Sequence, residues 1–318
     1  MPSLSGTQSV QRPDLGDTAS QYFLNQDDLI WDKVMPPLPV ATHIGEYPII
    51  PIEALLTEQA TKRAPRAQYN SGDYETETGE YKTSEDGWAE PLDDVERKMY
   101  EHDFDAEEIA AQRATDIVLR NLERYTRDFV FDSNNAIHTQ SLTKPWSDAA
   151  NATPKADIVA ARKDMKIRGG IRPNTLVMSE DVLDVLMETK EIKDRTIPTK
   201  DYGASSVDDQ LAYLANYFRI QNILIGGALT NKAAKGKKFE GEMIWTPDKM
   251  ALLHVNFSMN IRAPQFGRTF IWKSDGNNSV VIDQYRKEDN RSDMFRARNY
   301  TGRNVIYKGG NYLLSNVY

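Results

Sequence analysis

The chain has 318 residues, a formal net charge of -8 and no cysteine. This length allows one large or two modest domains, and the lack of cysteine excludes disulfides, thiolate nucleophiles and zinc–thiolate sites. The negative net charge excludes a protein whose whole surface binds nucleic acid. No apolar run reaches the roughly 20 residues of a transmembrane helix, and no signal peptide is expected at the N-terminus.

Residues 1–45 are predicted to form an arm. They are rich in Ser, Gln, Asp and Pro, and only short clusters around Phe23 and Trp31 offer apolar anchors. Such a segment cannot bury enough apolar surface to fold alone. It either orders against another surface or remains a floppy tail. Residues 44–60 then have strand character, and Pro48 and Pro51 favour an edge position or a bend.

Residues 61–94 form a long polar stretch with few aliphatic side chains and no helical period. The expected form is two polar strands around a glycine-containing turn. A hairpin of this length cannot stabilise itself in isolation, so it needs a partner surface. In a homo-oligomer the nearest partner is a neighbouring subunit. The alternative is a disordered surface loop.

The longest amphipathic helix is predicted for residues 105–131. Asp105 is a good N-cap residue, and Glu108 follows three residues later as in a capping box. Phe104 and Ile109 are spaced to form a hydrophobic staple around that cap. No proline or glycine interrupts the run, so we expect one continuous helix.

The apolar face of this helix is predicted from side chains that recur at three- and four-residue steps. They are Ala110, Ala114, Ile117, Val118, Leu122, Tyr125 and Phe129. The opposite face is expected to carry two acid-first pairs at i,i+4, Asp116–Arg120 and Glu123–Arg127.

Residues 153–256 alternate between helical and strand patterns, which indicates an α/β domain. Pro154 is placed at the first position of a helix that Gly169 and Gly170 end. Residues 174–178 and 220–225 are predicted strands, and Ser179 is a predicted N-cap. Residues 243–245 and 250–255 flank a turn and are predicted to form a hairpin.

From residue 262 onward the sequence predicts strand after strand. Residues 268–272 and 280–285 are separated by Asp275-Gly276, which favours a hairpin between them. Strands are also predicted at 294–300, 304–307 and 312–317.

An active site is not predicted. The four histidines are isolated from plausible partners in the sequence. Neither phosphate-loop pattern fits the glycines, and no nucleophile elbow is present. The basic loop 231–238 is interpreted as a solvated hairpin tip, with weak binding of phosphate or DNA as the alternative. The prediction is therefore a non-enzymatic protein without cofactor or metal.

Several stretches resemble one family in their order along the chain. They include EPLDDVERKMYEHDFDAEEIAAQRATDIVLRNLERYTRDFVFD, PWSDAANATPKADIVAARKDM, GGIRPNTLVMSEDVLDVLMETKEIKDR, NILIGGA and EMIWTPDKMALLHV. A polar arm, a long hairpin, an uninterrupted helix, an α/β domain and late strands follow one another. This order resembles the major capsid protein of tailed bacteriophages, whose fold is named after phage Hong Kong 97. The resemblance covers residues 40–318.

The resemblance implies an α+β fold of five parts. These are an N-terminal arm (1–45), an extended β-hairpin loop with flanking strands (46–94), a peripheral domain with a spine helix and an antiparallel sheet (95–152, helix 105–131), an α/β axial domain (153–256) and late strands that return to the peripheral and axial domains (257–318).

The resemblance also assigns roles to residues. Contacts between subunits through the extended loop are expected at Arg63, Arg66, Tyr69, Tyr74, Glu77, Tyr81, Lys82 and Trp88. Packing of the spine helix is expected through Ile117, Leu122, Tyr125 and Phe129. The loop at the centre of each ring of subunits is expected to present Lys232, Lys235, Lys237 and Lys238.

The function implied is that of a major capsid protein, which assembles in the host cytoplasm into pentamers and hexamers of an icosahedral shell around double-stranded DNA. Its partners would be itself, a portal, a separate scaffolding protein and a decoration protein, with only weak contacts to the packaged DNA and none to a membrane. One alternative is the shell subunit of an encapsulin-type nanocompartment. An alternative of another class is an α/β nucleotide-binding enzyme.

Overall fold

A computed structural model describes residues 9–12, 14–15, 28–49, 51–52, 56–72, 76–100, 105–196, 207–234, 236–273 and 280–318. The main helices are α1 (Trp31–Val34), α2 (Asp94–Tyr100), α3 (Ala106–Val130), α4 (Pro154–Gly169), α5 (Glu180–Glu188), α6 (Lys190–Thr196) and α7 (Val207–Phe218). The strands are β1 (Val10–Gln11), β2 (Pro37–Val40), β3 (Ile44–Ile49), β4 (Glu77–Lys82), β5 (Ser84–Asp93), β6 (His138–Ser141), β7 (Thr175–Ser179), β8 (Asn222–Gly226), β9 (Leu229–Asn231), β10 (Gly241–Met243), β11 (Lys249–Leu253), β12 (Gly267–Trp272), β13 (Val281–Lys287), β14 (Ser292–Val305) and β15 (Asn311–Ser315). The predicted α+β class is confirmed.

The long strand β14 is the centre of a six-stranded sheet. β5 pairs antiparallel with one of its edges. Thr301 pairs with Ser84 of β5 and with Ile271 of β12, so β12 lies on the opposite edge. β13 pairs with the earlier half of β14. β12 and β13 therefore follow one another in the same direction along a single edge, and β2 and β1 extend the sheet beyond them.

The predicted hairpin between residues 268–272 and 280–285 is wrong. β12 and β13 each pair with β14 and not with each other. A strand of 14 residues is long enough to pair with both in succession. The Asp275-Gly276 signal lies outside the described residues.

A second sheet has five strands in the order β6-β15-β11-β7-β8. Helices α4, α5 and α7 cover one face, where Leu176, Met178 and Leu252 belong to a buried cluster. Helix α1 and the second half of α3 cover the other face, where Val177 and Ala251 are buried. Because both faces are covered, β7 is buried along its whole length.

The predicted hairpin between residues 243–245 and 250–255 is also wrong. β10 pairs with β9, whereas β11 pairs with β15 and β7 in the five-stranded sheet. The turn between β10 and β11 therefore carries the chain from one sheet to another, and the buried side chains of Ile244 and Trp245 lie at that crossing.

Helix α3 begins where the capping pattern predicts. The Asp105 side chain accepts hydrogen bonds from the backbone N–H groups of Glu107 at 3.0 Å and Glu108 at 3.3 Å. These bonds satisfy two donors that have no partner inside the helix. Ile109 is 39% exposed, and Phe104, its partner in the predicted staple, lies outside the described residues.

The Asp105 cap gives a first test of this account. We expect Asp105→Ala to lower the free energy of unfolding by about 1 kcal/mol, because the two N–H groups lose their acceptor. Asp116→Ala is the matched control on the same helix, since its partly exposed pair with Arg120 is of a kind worth about 0.3–0.5 kcal/mol. Equal losses in chemical denaturation would contradict the capping role.

The buried face of α3 is rotated from the predicted one. It consists of two strips at four-residue steps, namely Ala110, Ala114, Val118, Leu122, Thr126 and Val130, and Ala111, Thr115, Leu119 and Glu123. The first strip includes several predicted positions, but Ile117 is only half-buried and Tyr125 is exposed. The small residues of the first turns let the helix pack closely against β5 and β14, where Phe295 and Ala297 are buried.

Candidate subunit-interaction surfaces

The extended loop is built on a two-stranded ribbon. β3 and β4 pair antiparallel from Ile44↔Lys82 to Ile49↔Glu77, so the chain leaves and re-enters the fold at adjacent positions. The predicted pairing of two strands within residues 61–94 is wrong. β4 pairs with β3, and β5 hydrogen-bonds along β14 instead, because its backbone groups find their partners in the six-stranded sheet.

Aromatic side chains hold the base of the ribbon on the body of the subunit. The ring of Tyr81 stacks on that of Phe270, with the two ring centroids 4.6 Å apart. The ring centroid of Tyr47 lies 5.5 Å from that of Phe270. Gly45 is opposite Tyr81 and Gly79 is opposite Tyr47, so each ring lies over a residue without a side chain. Tyr81 is 8% exposed and belongs to the core of its own chain, which makes it the residue of its group least suited to contact a neighbour.

This packing predicts a cost for any side chain at Gly45. A Cβ atom there would lie 2.6 Å from the hydroxyl oxygen of Tyr81, so Gly45→Ala must displace the ring from Phe270. We expect a loss of about 1–3 kcal/mol in the free energy of unfolding. Gly72→Ala is the matched control, because a Cβ atom there meets nothing closer than 3.8 Å. Similar melting temperatures for both variants would contradict the packing.

The outer part of the loop, residues 56–72, is exposed throughout. Arg63 lies over the ring of Tyr69 at 4.4 Å and donates to the carbonyl of Ala67 at 2.5 Å. These contacts organise the segment locally, yet Tyr69 is 77% and Leu56 62% exposed. An exposed tyrosine and an exposed leucine on this polar segment make it a candidate contact surface.

The other residues expected at loop contacts are exposed or lie outside the described residues. Arg66, at a turn with φ of 66°, is exposed, and so are Glu77 and Lys82 at the two ends of β4. Trp88 on β5 is 48% exposed and donates to Glu90 at 3.1 Å. Tyr74 lies outside the described residues.

The residues expected to pack the spine helix have different environments. Leu122 is 1% exposed. Phe129 is half-buried, and its ring lies 6.2 Å from that of Phe266. Tyr125 is 36% exposed, with the guanidinium of Arg303 over its ring at 5.2 Å.

Ion pairs fix the N-terminal end of α3 to the exit of the loop. Arg97 of α2 lies 3.0 Å from Glu107 of α3 and 2.6 Å from Asp293 of β14. Arg286 donates two hydrogen bonds to Asp94, at 2.6 and 2.7 Å, and its guanidinium holds the pKa of Asp94 below its usual value. These ion pairs hold α2 and the first turn of α3 against β13 and β14 of the six-stranded sheet.

The helix also carries a charged side chain that the sequence pattern misplaced. Glu123 was predicted to pair on the surface with Arg127, but it is 0% exposed. Its carboxylate accepts hydrogen bonds from the backbone of Ile30 and Trp31 and from the indole N–H of Trp245. Burial raises its pKa to about 7. The sequence feature that could have indicated burial of Glu123 is its spacing, because it follows Leu119 by four residues in the second buried strip.

The basic loop between β9 and β10 is partly neutralised within the chain. Lys232 forms an ion pair with Glu242. The side-chain oxygen of Asn231 accepts from the backbone of Ala233 and Glu240, which closes the loop. Lys237 and Lys238 are exposed, and Lys235 lies outside the described residues.

In the described part of the chain, no group of three or more His, Asp or Glu side chains is arranged to hold a metal ion. An open cleft of about 580 Å³ lies between the ribbon base and α3 and is lined by Asp86, Asp128, Asp132 and Arg303 among others. No helix that the structure describes has the length and apolar character needed to span a bilayer.

No protein-family model matches the chain, and no curated protein matches it in sequence. Solved structures do match in fold. A phage-related protein from Bordetella bronchiseptica is 18% identical, with 98% of each chain covered and a TM-score of 0.69. A virus-like particle from Pyrococcus furiosus is 11% identical, covering 95% of this chain and 98% of that one, with a TM-score of 0.56. The capsid of cyanophage P-SCSP1u is 10% identical, covering 99% and 90%, also with a TM-score of 0.56.

These likenesses extend over nearly the whole chain, so they concern the arrangement of all its parts and not one sheet or helix. The chain has the Hong Kong 97-like capsid fold, as the order of its sequence stretches predicted. At these identities the likeness is one of fold.

Proposed function

We propose that the chain is the major capsid subunit of a tailed bacteriophage, which assembles into pentamers and hexamers of an icosahedral shell around double-stranded DNA. The observation that carries the proposal is the extended loop. An aromatic base on the body of the subunit leads into a segment that is exposed throughout residues 56–72 and locally organised. Within a Hong Kong 97-like fold such a segment fits a role in holding a neighbouring copy.

Assembly is the mechanism in this proposal. Contacts between different patches of identical subunits close into rings, and rings tile a shell. The loop adds a second attachment to each contact between neighbours, and linked attachments multiply in effect across a lattice. The body must be stiff for this to work, and the ion pairs of Arg97 and Arg286 and the close packing of α3 on β14 supply that stiffness.

The parts of the chain receive distinct roles in this proposal. Residues 1–45 form an arm, and residues 46–94 clasp a neighbour. Residues 95–152 and 257–318 build the peripheral region around α3, and residues 153–256 form the axial domain. The loop of Lys232, Lys237 and Lys238 between β9 and β10 faces the centre of each ring.

The proposed partners are further copies of the chain, a portal, a separate scaffolding protein and a decoration protein. The net charge of -8 favours a shell that contacts its packaged DNA only weakly, because like charges repel. The proposed location is the virion, after assembly in the host cytoplasm.

A second candidate function is a shell of the same fold that encloses different contents. This candidate is a nanocompartment that encloses protein cargo, and the likeness to a virus-like particle from Pyrococcus furiosus is equally compatible with it. Particles isolated from the organism that produces the chain would distinguish the two, because a capsid contains nuclease-protected DNA and a nanocompartment contains a cargo protein.

The absence of cysteine from the chain allows a direct test of the loop contact. Tyr69→Cys places a single thiol on the exposed part of the loop, where a photoactivated cross-linker can be attached. We expect cross-links between chains, forming a ladder of oligomers on a denaturing gel. The same labelled protein diluted until it is dissociated is the control and should lose the ladder. Cross-links confined to single chains in assembled protein would contradict the proposal.

A further inference from the structure

The second half of α4 and the turn that follows it concentrate positive charge. Residues 162–172 hold one acidic side chain, Asp164, which pairs with Arg168 at 2.8 Å. They hold five cationic side chains, namely Arg162, Lys163, Lys166, Arg168 and Arg172. The whole chain has a net charge of -8, so this stretch is a local exception to its acidic character.

The five-stranded sheet brings a further arginine to this stretch. β7 and β8 run parallel and pair from Thr175↔Asn222. Arg172 precedes the first of these residues by three positions, and Arg219 precedes the second by three. The backbone N–H of Asn222 also donates to the carbonyl of Asn174 at 3.0 Å, so the two segments enter the sheet side by side. Arg172 and Arg219 therefore lie at the same edge of the sheet.

Arg162 reaches this edge from α4. Its guanidinium donates to the carbonyl of Phe218, the last residue of α7, at 2.7 Å. Burial and the nearby charges of Arg219 and Arg172 lower the pKa of Arg162, which means that the three guanidinium groups are close enough to repel one another. Among the described residues, no carboxylate forms an ion pair with any of the three.

The backbone at Arg219 is unusual for an arginine. Helix α7 ends with the backbone N–H of Ile220 donating to the carbonyl of Ala215 at 3.0 Å, and Arg219 has a φ of 53°. Glycine is the usual residue at such a helix end, because a positive φ crowds a side chain. The Arg219 side chain is exposed, so a role for its guanidinium accounts for arginine where the backbone favours glycine.

We propose that Arg162, Arg172 and Arg219 form a binding site for phosphate groups at this edge of the sheet. Guanidinium groups stay charged and donate paired hydrogen bonds to phosphate oxygens, and an anion between them offsets their mutual repulsion. Arg172 and Arg219 are exposed and able to contact a ligand, whereas Arg162 is half-buried and adds mainly its charge. The site lies within one subunit and does not depend on the proposed shell function.

Binding of a fluorescently labelled DNA duplex to the full chain, followed by anisotropy, tests this site. Three phosphate contacts predict that affinity falls about 40-fold as salt rises from about 50 to 200 mM. The double variant Arg172→Gln, Arg219→Gln leaves one contact, so its affinity should fall only about 3-fold over the same range. At about 50 mM salt the double variant should bind at least about tenfold more weakly than the wild type.

A matched control has the same net charge as the double variant. Lys237→Gln with Lys238→Gln removes two exposed cations from the loop between β9 and β10, and it should keep the affinity and the salt dependence of the wild type. Equal losses in both double variants would show that net charge alone governs binding, and this result would overturn the proposal.

Arg219→Gly separates binding from folding. Glycine adopts the positive φ of this position without crowding, so the thermal midpoint should not fall, while binding of the duplex should weaken. Unchanged binding by Arg219→Gly would contradict the site even if the double variant failed to fold.

Calorimetric titration with inorganic phosphate distinguishes the two sources of phosphate groups. Binding of the duplex that depends on the arginines would identify nucleic acid as the ligand. Binding of inorganic phosphate that is lost in Arg172→Gln, Arg219→Gln, without such binding of the duplex, would identify a small phosphate compound. If neither probe binds in a way that depends on these arginines, the proposal is wrong.

Discussion

Subunits whose outer loop is excised are expected to fold but not to form shells. The variant replaces residues 57–72 with a short Gly-Ser linker. All of these residues are exposed, so their removal takes no side chain from the core. The ends of the ribbon are adjacent at the Ile49↔Glu77 pair, so a short linker can close it without strain.

The expected loss in assembly is large, because each subunit loses one of its attachments to a neighbour. Loss of a linked attachment weakens association by about a hundredfold or more, which would reduce megadalton particles to small oligomers in light scattering. The thermal midpoint should change by less than about 2 °C. Gln68→Ala, a single exposed change in the same segment, is the control and should assemble. Normal shells from the excised variant would show that the loop does not hold neighbours together.

The second large effect is expected at the base of the loop. Phe270 is 0% exposed and lies beneath the rings of Tyr47 and Tyr81. Phe270→Ala leaves a cavity beneath both rings, which costs about 3–5 kcal/mol in the free energy of unfolding. The thermal midpoint should fall by about 6–15 °C, since roughly 2–3 °C is lost per kcal/mol in a chain of this size.

A matched variant separates stability from assembly. Tyr69→Ala removes an aromatic ring that is 77% exposed, so the free energy of unfolding should change by less than about 0.5 kcal/mol. Its assembly should nevertheless weaken, whereas Phe270→Ala should affect both properties. If Phe270→Ala melted like the wild type, the aromatic base would not hold the ribbon on the subunit.

The sequence was most informative where structure is decided by nearby residues. Asp105 caps α3 as predicted, and the helix ends within one residue of the expected position. Pro154 begins α4, and Gly170 ends it with a φ of 66° that suits glycine. Ser179 caps α5 by accepting from the backbone of Val182. Each of these features depends on contacts within about four residues.

Strand pairing could not be predicted in the same way, because it depends on partners that are distant in sequence. β3 pairs with β4 across the whole loop, and β5 pairs with β14. Local turn signals favoured neighbouring strands in the failed hairpins, whereas the backbone groups of those strands found partners elsewhere in the chain.

Glu123 shows the same limit for a single side chain. An acidic residue in an amphipathic helix is assigned to the solvent by default. Its burial depends on N–H donors from α1 and from Trp245, which lie far away in sequence. The four-residue step from Leu119 marked the position, but the pattern alone could not supply the partners.

The mass of the purified full chain in solution, measured by light scattering with negative-stain microscopy, tests the central claim most directly. The account predicts megadalton particles with icosahedral outline, or discrete pentamers and hexamers. A monomer that persists at high concentration, with residues 56–72 protected by its own core, would contradict it.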